Sequence, residues 1–211
     1  MEAKTNLYQK NKKLFTRFEG LFFSNTVLER GLVVATVVVM GNTLKNAVAL
    51  TLVFSILTFL TVCITYFVPR KIPYTFRVII HSIISAIIFI PTSLFVNFLI
   101  RDIIFSLGIF MPLLVINSLI IGVSSARFHK KKFIPMLVDL FSHFLGFAVV
   151  ICLVAILREI FGLGTVWGIS VPFITGSTAF LLPFSGFIIV GIFAAILQKI
   201  KINFIKEKEM E

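Results

Sequence analysis

The chain has 211 residues, of which 58% are hydrophobic and only 14% are charged, and its mean hydropathy is +1.06. A soluble domain of this length could not cover so much apolar surface, so the composition indicates a membrane protein with several spans. The formal charge of +11 would suit a nucleic-acid-binding protein, but the basic residues lie in short segments between apolar runs, which argues against that class.

The N-terminal part of the chain predicts a surface helix followed by a short span. Residues 1–23 alternate Lys and Arg with apolar residues at helical spacing, which is typical of an amphipathic helix lying on a membrane. The first uncharged run, residues 31–44, is short, because about 20 residues are needed to cross the hydrocarbon core. This span is therefore either a half-helix or one that draws Glu29 and Arg30 into the protein interior.

Five further uncharged runs predict five more spans. They cover residues 46–69, 78–100, 103–126, 135–157 and a segment from about 174 to 198. Arg158 and Glu159 are predicted to end the fifth span at the outer interface. The glycines and Pro172 that follow predict a loop or a broken helix before the sixth span.

The fourth predicted span is interrupted by polar and helix-breaking residues. Pro112 lacks a backbone donor and disfavours helix just before it. Asn117 and Ser118 place polar side chains where lipid could not satisfy them. Residues 106–122 are thus either a kinked span with two polar packing residues, or a broken segment that lines a cavity inside the protein.

The positions of the two irregular spans suggest internal symmetry. The short run 31–44 opens the first set of three spans, and the interrupted run 103–126 opens the second. Paired defective spans in corresponding positions are expected in an inverted-repeat membrane fold with a site near the midplane. We therefore predict an all-α integral membrane fold of six transmembrane helices, arranged as a 3+3 inverted repeat, with the first helix of each half broken or short.

The distribution of basic residues predicts the orientation of the chain. When the polar segments are assigned alternately to the two sides of the membrane, sixteen of the 20 Lys and Arg residues fall on one side. The positive-inside rule then places both termini of this multi-pass cell-membrane protein in the cytoplasm. We divide the chain into a basic amphipathic segment (1–23), a six-helix membrane domain (24–198) and a charged cytoplasmic tail (199–211).

Two pairs of polar residues are candidates for an ion route. Asp139 and His143 lie four residues apart and would share a face of the fifth helix. Ionisable groups at membrane depth often mark ion routes, so this pair is a candidate relay for H⁺ or Na⁺; the alternative is an interfacial pair near a helix N-terminus. Asn117 and Ser118 are the candidates for a polar midplane site. No nucleophile–base set, phosphate loop or metal motif appears, so no catalytic residue is predicted.

Motifs in the first, fourth and fifth predicted spans occur in a recognisable order. They are Asn25-Thr26-Val27-Leu28; Leu107-Gly108-Ile109-Phe110-Met111-Pro112-Leu113 with Asn117 and Gly122; Leu145-Gly146-Phe147; and Leu157-Arg158-Glu159-Ile160 with Gly162 and Gly164-Thr165. In this order they resemble the RnfE/NqrD-type membrane subunits of Rnf/Nqr complexes, which also carry an aspartate where Asp139 falls. The resemblance implies a membrane subunit of an ion-translocating electron-transport complex that supplies half of a pseudosymmetric membrane core.

The resemblance also implies a two-iron two-sulfur cluster. In the family, one cysteine of helix one, one of helix four and two from the inverted partner hold it, and the first two positions fall on Ala35 and Ser118 here. Alanine has no ligand atom, and a serine hydroxyl replaces a soft thiolate poorly. Cys63 and Cys152 lie in the second and fifth predicted spans and replace neither ligand. We therefore expect no cofactor and no metal bound by this chain alone, and flavins on partner subunits.

The partners implied by the resemblance are an inverted homologous membrane subunit of the RnfA/NqrE type and further Rnf/Nqr-like subunits. Two alternatives stay open. One is a six-helix transporter subunit, such as the substrate-binding component of a vitamin-uptake system, which has a similar size and charge. The other is a cluster-free subunit that only scaffolds redox subunits. The sequence does not identify the coupling ion, the direction of ion flow, or the electron donor and acceptor.

Overall fold

The computed structural model describes residues 34–69, 72–116, 133–172 and 176–209 of the chain. The helices in these ranges are α1 (Val34–Met40), α2 (Leu44–Thr65), α3 (Tyr74–Leu99), α4 (Ile103–Leu107), α5 (Phe133–Leu163) and α6 (Pro183–Glu209). Three short 3₁₀ helices cover Gly108–Phe110, Pro112–Ile116 and Thr178–Leu181. One antiparallel hairpin pairs β1 (Thr165–Val166) with β2 (Ile169–Ser170).

Three of the described helices, α2, α3 and α5, are long and apolar enough to cross a membrane. The apolar part of α6, Pro183–Lys199, is shorter. These helices confirm the prediction of a helical membrane fold. Six spans and the inverted repeat remain predictions. The amphipathic segment 1–23, the basic loop 127–132 and the pair Asn117 and Ser118 lie outside the described residues.

Helix α2 lies at the centre of the bundle and packs against both α3 and α5. The ring of Phe54 stacks on that of Phe147 with centroids 4.2 Å apart, and Tyr66, just after α2, meets Phe133 at 5.3 Å. These two contacts show that α2 and α5 run antiparallel. Only 28% of an apolar 18-residue stretch of α3 is buried. This helix therefore lies at the periphery of the bundle and exposes most of its apolar surface.

A tight turn joins α1 to α2, and α1 packs against the last helix. Thr43 caps α2, because its hydroxyl accepts a hydrogen bond from the Asn46 backbone N–H at 3.3 Å. Gly186 of α6 lies against the backbone of Val38 in α1: a β-carbon on Gly186 would come within 2.9 Å of the Val38 carbonyl oxygen. The first and last described helices are therefore in backbone contact.

The fourth predicted span is broken, as expected, over the part of it that is described. Helix α4 ends at Leu107, and Gly108 follows with φ +49°, a conformation that favours glycine. Two 3₁₀ helices continue the chain, and Pro112 opens the second of them. A regular helix is therefore absent from residues 108–116.

The predicted boundaries of the fifth and sixth helices are wrong in two places. Arg158 and Glu159 do not end the fifth helix, because α5 continues to Leu163 and both side chains are buried within the protein. The last helix begins at Pro183 rather than near 174, after the hairpin and the third 3₁₀ helix. Proline suits this first helical position, where its missing N–H would have no intrahelical partner.

Candidate functional site

The guanidinium group of Arg158 is fully buried and binds main-chain carbonyl oxygens from two distant parts of the chain. Its Nη1 donates to the Val38 oxygen at 2.6 Å. Its Nε donates to the Phe180 oxygen at 3.0 Å, and its Nη2 donates to those of Leu181 and Leu182 at 2.6 and 3.3 Å. These carbonyls lie at or near the C-terminal ends of α1 and of the third 3₁₀ helix, where the backbone dipoles favour a cation.

The carboxylate of Glu159, the next residue, accepts hydrogen bonds from backbone N–H groups. Its Oε2 accepts from the N–H of Leu44, the first residue of α2, at 2.6 Å. Its Oε1 accepts from the Gly168 N–H at 3.1 Å and from the Thr165 hydroxyl at 3.2 Å. The carboxylate therefore caps the positive end of α2 and also holds the β1–β2 turn. We call Arg158 and Glu159 together the Arg–Glu clamp.

A second set of hydrogen bonds extends the polar network at this end of the bundle. The amide of Asn46 donates to the Asn42 side-chain oxygen at 3.0 Å, and its own oxygen accepts from the Ser106 hydroxyl at 3.0 Å. Ser106 belongs to α4, at the start of the broken fourth span. The start of α2 is thus joined to both irregular regions, α4 and the 165–182 segment.

The Arg–Glu clamp was not predicted from the sequence. The only signal was an adjacent pair of opposite charges followed by a long uncharged run, residues 160–198, which fits a buried pair as well as a helix end. Burying such groups is tolerated only when hydrogen bonds compensate them. Two of the hydrogen-bond partners, Leu44 and Val38, are 115 and 120 residues away in sequence, and the others lie beyond the end of α5. The clamp links α1, the start of α2 and the 165–182 segment, and this arrangement is a structural one.

The predicted ion-route residues of α5 lie at the opposite end of the helix. Asp139 is half-buried and His143 is only 2% exposed, and both take part in further interactions. They share one face of α5, as their spacing predicts. Asn117 and Ser118, the other candidates, lie outside the described residues.

The buried hydroxyls of this region divide into two classes. Several buried or half-buried hydroxyls donate to a carbonyl of their own helix, as is usual for Ser and Thr in membrane helices; they are Thr51, Thr65, Ser82, Thr92 and Ser93. Four others have no hydrogen-bond partner among the described residues: Thr58, Thr61, Ser85 and Ser142. Leaving a buried hydroxyl without a partner costs about 1–3 kcal/mol, so this second class calls for an explanation.

Of the two positions that the resemblance assigns to cluster ligands, the described one, Ala35, does not fit an iron–sulfur cluster. Ala35 is an exposed residue of α1 and carries no donor atom. Cys63 and Cys152 are half-buried free cysteines on α2 and α5, not on α1. Within the ranges that the structure describes, no three His, Cys, Asp or Glu side chains are grouped so as to hold a metal ion.

Comparison with known proteins places the chain in a family. The family model described as "Rnf-Nqr subunit, membrane protein" matches residues 13–194. The chain is 28% identical over 204 residues to the E-type subunit of the ion-translocating oxidoreductase complex of Haemophilus influenzae (strain PittEE), covering 90% of this chain and 86% of that protein.

Two further relatives are similar over most of the chain. The D-type subunit of the Na(+)-translocating NADH-quinone reductase of Serratia proteamaculans is 27% identical over 188 residues, with 86% of this chain and 90% of that protein covered. The E-type subunit of the ion-translocating oxidoreductase complex of Glaesserella parasuis is 30% identical over 156 residues, with 74% and 67% covered. The apolar helices, the broken span and these matches agree, and the chain belongs to the Rnf-Nqr family of membrane subunits.

Proposed function

We propose that this chain is an integral membrane subunit of an Rnf/Nqr-like ion-translocating electron-transport complex and forms half of a pseudosymmetric membrane core. The match of residues 13–194 to the family carries the proposal. The relatives are named as subunits of ion-translocating or Na⁺-translocating complexes, which favours this function over a vitamin-uptake component.

The proposed architecture has six spans in a 3+3 inverted repeat with both termini in the cytoplasm. The broken segment after α4 supports it, because interrupted helices are typical of inverted-repeat membrane proteins. The excess of Lys and Arg on one side supports the orientation of the termini. The proposed partner is an inverted homologue of the RnfA/NqrE type, together with the flavin-bearing subunits of the complex.

We propose further that this chain supplies no ligand to an iron–sulfur cluster. Ala35 offers no donor atom, and the second family position falls on Ser118, whose hydroxyl is a hard ligand. The chain then acts as the structural and ion-conducting half of the core. A two-iron paramagnetic resonance signal that is lost when Ser118 is changed to Ala would contradict this assignment.

The proposed ion route includes Asp139 and His143, with Asn117 and Ser118 as further candidates. Asp139 supplies a carboxylate within the α5 span, and ionisable residues in membrane spans are usually retained for ion or proton movement. His143 shares the face of α5 with Asp139 and is buried, so it has the position of a neighbouring polar group on the same route.

The experiment uses the complex purified through a tag on this chain and reconstituted in vesicles. We expect the partner subunits to co-purify, and we expect electron transfer to drive ion uptake. The change Asp139→Asn should lower ion uptake by about tenfold or more at unchanged complex yield, because changes around a cation site typically cost about 10- to 100-fold in affinity.

The control is Asp102→Asn, which alters an exposed carboxylate in the turn before α4 and should leave ion uptake unchanged. Asparagine tolerates the positive φ of this position, so the control should fold normally. Purification of the chain without any redox subunit would contradict the proposed function. Equal ion uptake by the wild type and Asp139→Asn would remove Asp139 from the route.

A further inference from the structure

The hydroxyls of Thr58 and Thr61 differ from those of their neighbours on α2. Thr51 donates to the Ala47 oxygen at 2.8 Å, and Thr65 donates to the Thr61 oxygen at 2.7 Å. Thr58 and Thr61 are each 0% exposed, yet neither hydroxyl has a hydrogen-bond partner in the described part of the chain. The same helix thus holds two threonines that are satisfied locally and two that are not.

The two unsatisfied threonines lie on the face of α2 that meets α5. Phe54, Thr58 and Thr61 follow the i, i+4, i+7 spacing of one helix face, and Phe54 stacks on Phe147 of α5 at 4.2 Å. The side chains of Thr58 and Thr61 are therefore directed toward the interface between these two helices.

Two ring contacts set the register along this interface. They join Phe54 to Phe147 and Tyr66 to Phe133 in antiparallel order. Interpolating between these contacts places Thr58 level with Ser142 and Thr61 level with Asp139. The unsatisfied hydroxyls thus lie at the same depth as the half-buried carboxylate of α5.

We propose that the hydroxyl oxygens of Thr58 and Thr61 are ligands of a sodium ion, bound between α2 and α5 at the level of the Asp139 carboxylate. The inference rests on the proposed ion-translocating function and assigns side chains to the ion's path. Hydroxyl, carbonyl and carboxylate oxygens suit hard cations. Bound sodium would satisfy the lone pairs of both hydroxyls, and Asp139 would balance its charge in a setting of low dielectric.

This proposal and a purely structural role predict opposite effects of removing the hydroxyls. Valine has nearly the shape of threonine without the oxygen. If the hydroxyls only pack, replacing them removes two unsatisfied polar groups and leaves the response to sodium unchanged. If they bind sodium, the same replacement removes two ligands and weakens the response.

The test measures the thermal unfolding midpoint of the purified complex as NaCl replaces choline chloride at constant ionic strength. We expect sodium to raise the wild-type midpoint, since a ligand of the folded state stabilises it. In the double variant Thr58→Val, Thr61→Val, the sodium concentration for half-maximal stabilisation should rise by about tenfold or more.

The matched control is the double variant Thr51→Val, Thr65→Val, whose hydroxyls bond to their own helix. Its half-maximal sodium concentration should stay within about twofold of the wild type, as should that of Thr58→Ser, Thr61→Ser, which keeps both oxygens. Should the double valine variant not assemble, the single variants Thr58→Val and Thr61→Val serve instead, each with a severalfold rise.

A wild-type complex whose midpoint is insensitive to sodium would overturn the inference, as would valine variants with the wild-type sodium response. Both outcomes can be distinguished from a failure of the proposed function. Sodium-dependent stabilisation needs no electron transfer, so it can be present in a complex that translocates nothing. Conversely, ion uptake with the same half-saturating sodium concentration in the wild type and the double valine variant would leave the function standing and exclude this site.

Discussion

Arg158 directs all three of its guanidinium nitrogens at main-chain oxygens, and no carboxylate contacts it within the described residues. Four carbonyl contacts take the place of an ion pair. Arginine suits this role, because its planar fork presents five N–H donors in a fixed geometry. Lysine would keep the charge but would lose the simultaneous reach to α1 and to the 180–182 backbone.

Replacing Arg158 should therefore destabilise the fold strongly. We expect Arg158→Leu to lower the free energy of unfolding by about 3 kcal/mol or more, because hydrogen bonds to charged groups contribute about 1.5–3 kcal/mol each and several carbonyls would be left buried. Arg158→Lys should lower the free energy of unfolding by less. The thermal unfolding midpoint of the purified protein measures both.

The control for this series is Arg101, an exposed arginine in the turn before α4. Arg101→Leu should leave the midpoint nearly unchanged, because substitutions at exposed positions rarely change the free energy of unfolding by more than about 0.5 kcal/mol. An Arg158→Leu midpoint equal to that of the wild type would show that the buried hydrogen bonds do not hold α1 to the 180–182 backbone.

At the scale of elements, the contact between α1 and α6 depends on a residue without a side chain. A β-carbon on Gly186 would come within 3.2 Å of both the Val38 α-carbon and its Cγ1, and within 2.9 Å of the carbonyl oxygen that Arg158 also binds. Backbone atoms cannot turn aside as a flexible side chain would. The two helices must separate to accept even a methyl group.

We expect Gly186→Ala to destabilise the protein by about 1–3 kcal/mol, the usual cost of overpacking. Gly191→Ala is the matched control on the same helix, since a β-carbon there meets nothing within 4 Å. It should be neutral or stabilising by about 0.5–1 kcal/mol, because alanine favours helix over glycine. Equal midpoints for the two variants would contradict the close α1–α6 contact.

The elements themselves show what a sequence can predict here. Long uncharged runs made α2, α3 and α5 predictable, and Pro112 with Gly108 made the break after α4 predictable, because these signals are local. The end of α5 was not predictable. It depends on whether Arg158 and Glu159 find partners, and two of those partners, Leu44 and Val38, lie 115 and 120 residues away, while the others lie beyond the end of the helix. The sequence around Thr58 and Thr61 likewise does not indicate that their hydroxyls lack a hydrogen-bond partner in the described part of the chain.

At the scale of the whole molecule, α5 carries a polar group near each end. Asp139 and Arg158 are separated by nineteen helical residues, or about 28 Å, which is close to the thickness of the hydrocarbon core. The Arg–Glu clamp and the proposed sodium site thus fall near opposite faces of the bilayer. Helix α5 thus carries the hydrogen-bonded Arg–Glu clamp near its C-terminal end, and the Asp139 carboxylate near its N-terminal end, at the level of the unsatisfied hydroxyls of α2.

The proposed orientation of the molecule gives a direct expectation. Reporter fusions at Lys45 and within the loop 127–132 should report opposite sides of the membrane, with the loop in the cytoplasm, because most Lys and Arg residues lie on the side of that loop. Alkaline phosphatase and a cytoplasmic fluorescent protein are suitable reporters. The same side reported by both fusions would contradict the six-span arrangement.

The clamp also constrains when its own contacts can form during synthesis. Arg158 binds one carbonyl, that of Val38, which precedes it in the chain, and three others, at 180–182, which follow it. The Val38 carbonyl therefore exists before the guanidinium is made, and the other three exist only after α5 is complete. The link that Arg158 makes between α1 and the 180–182 backbone can close only once residue 182 has left the ribosome.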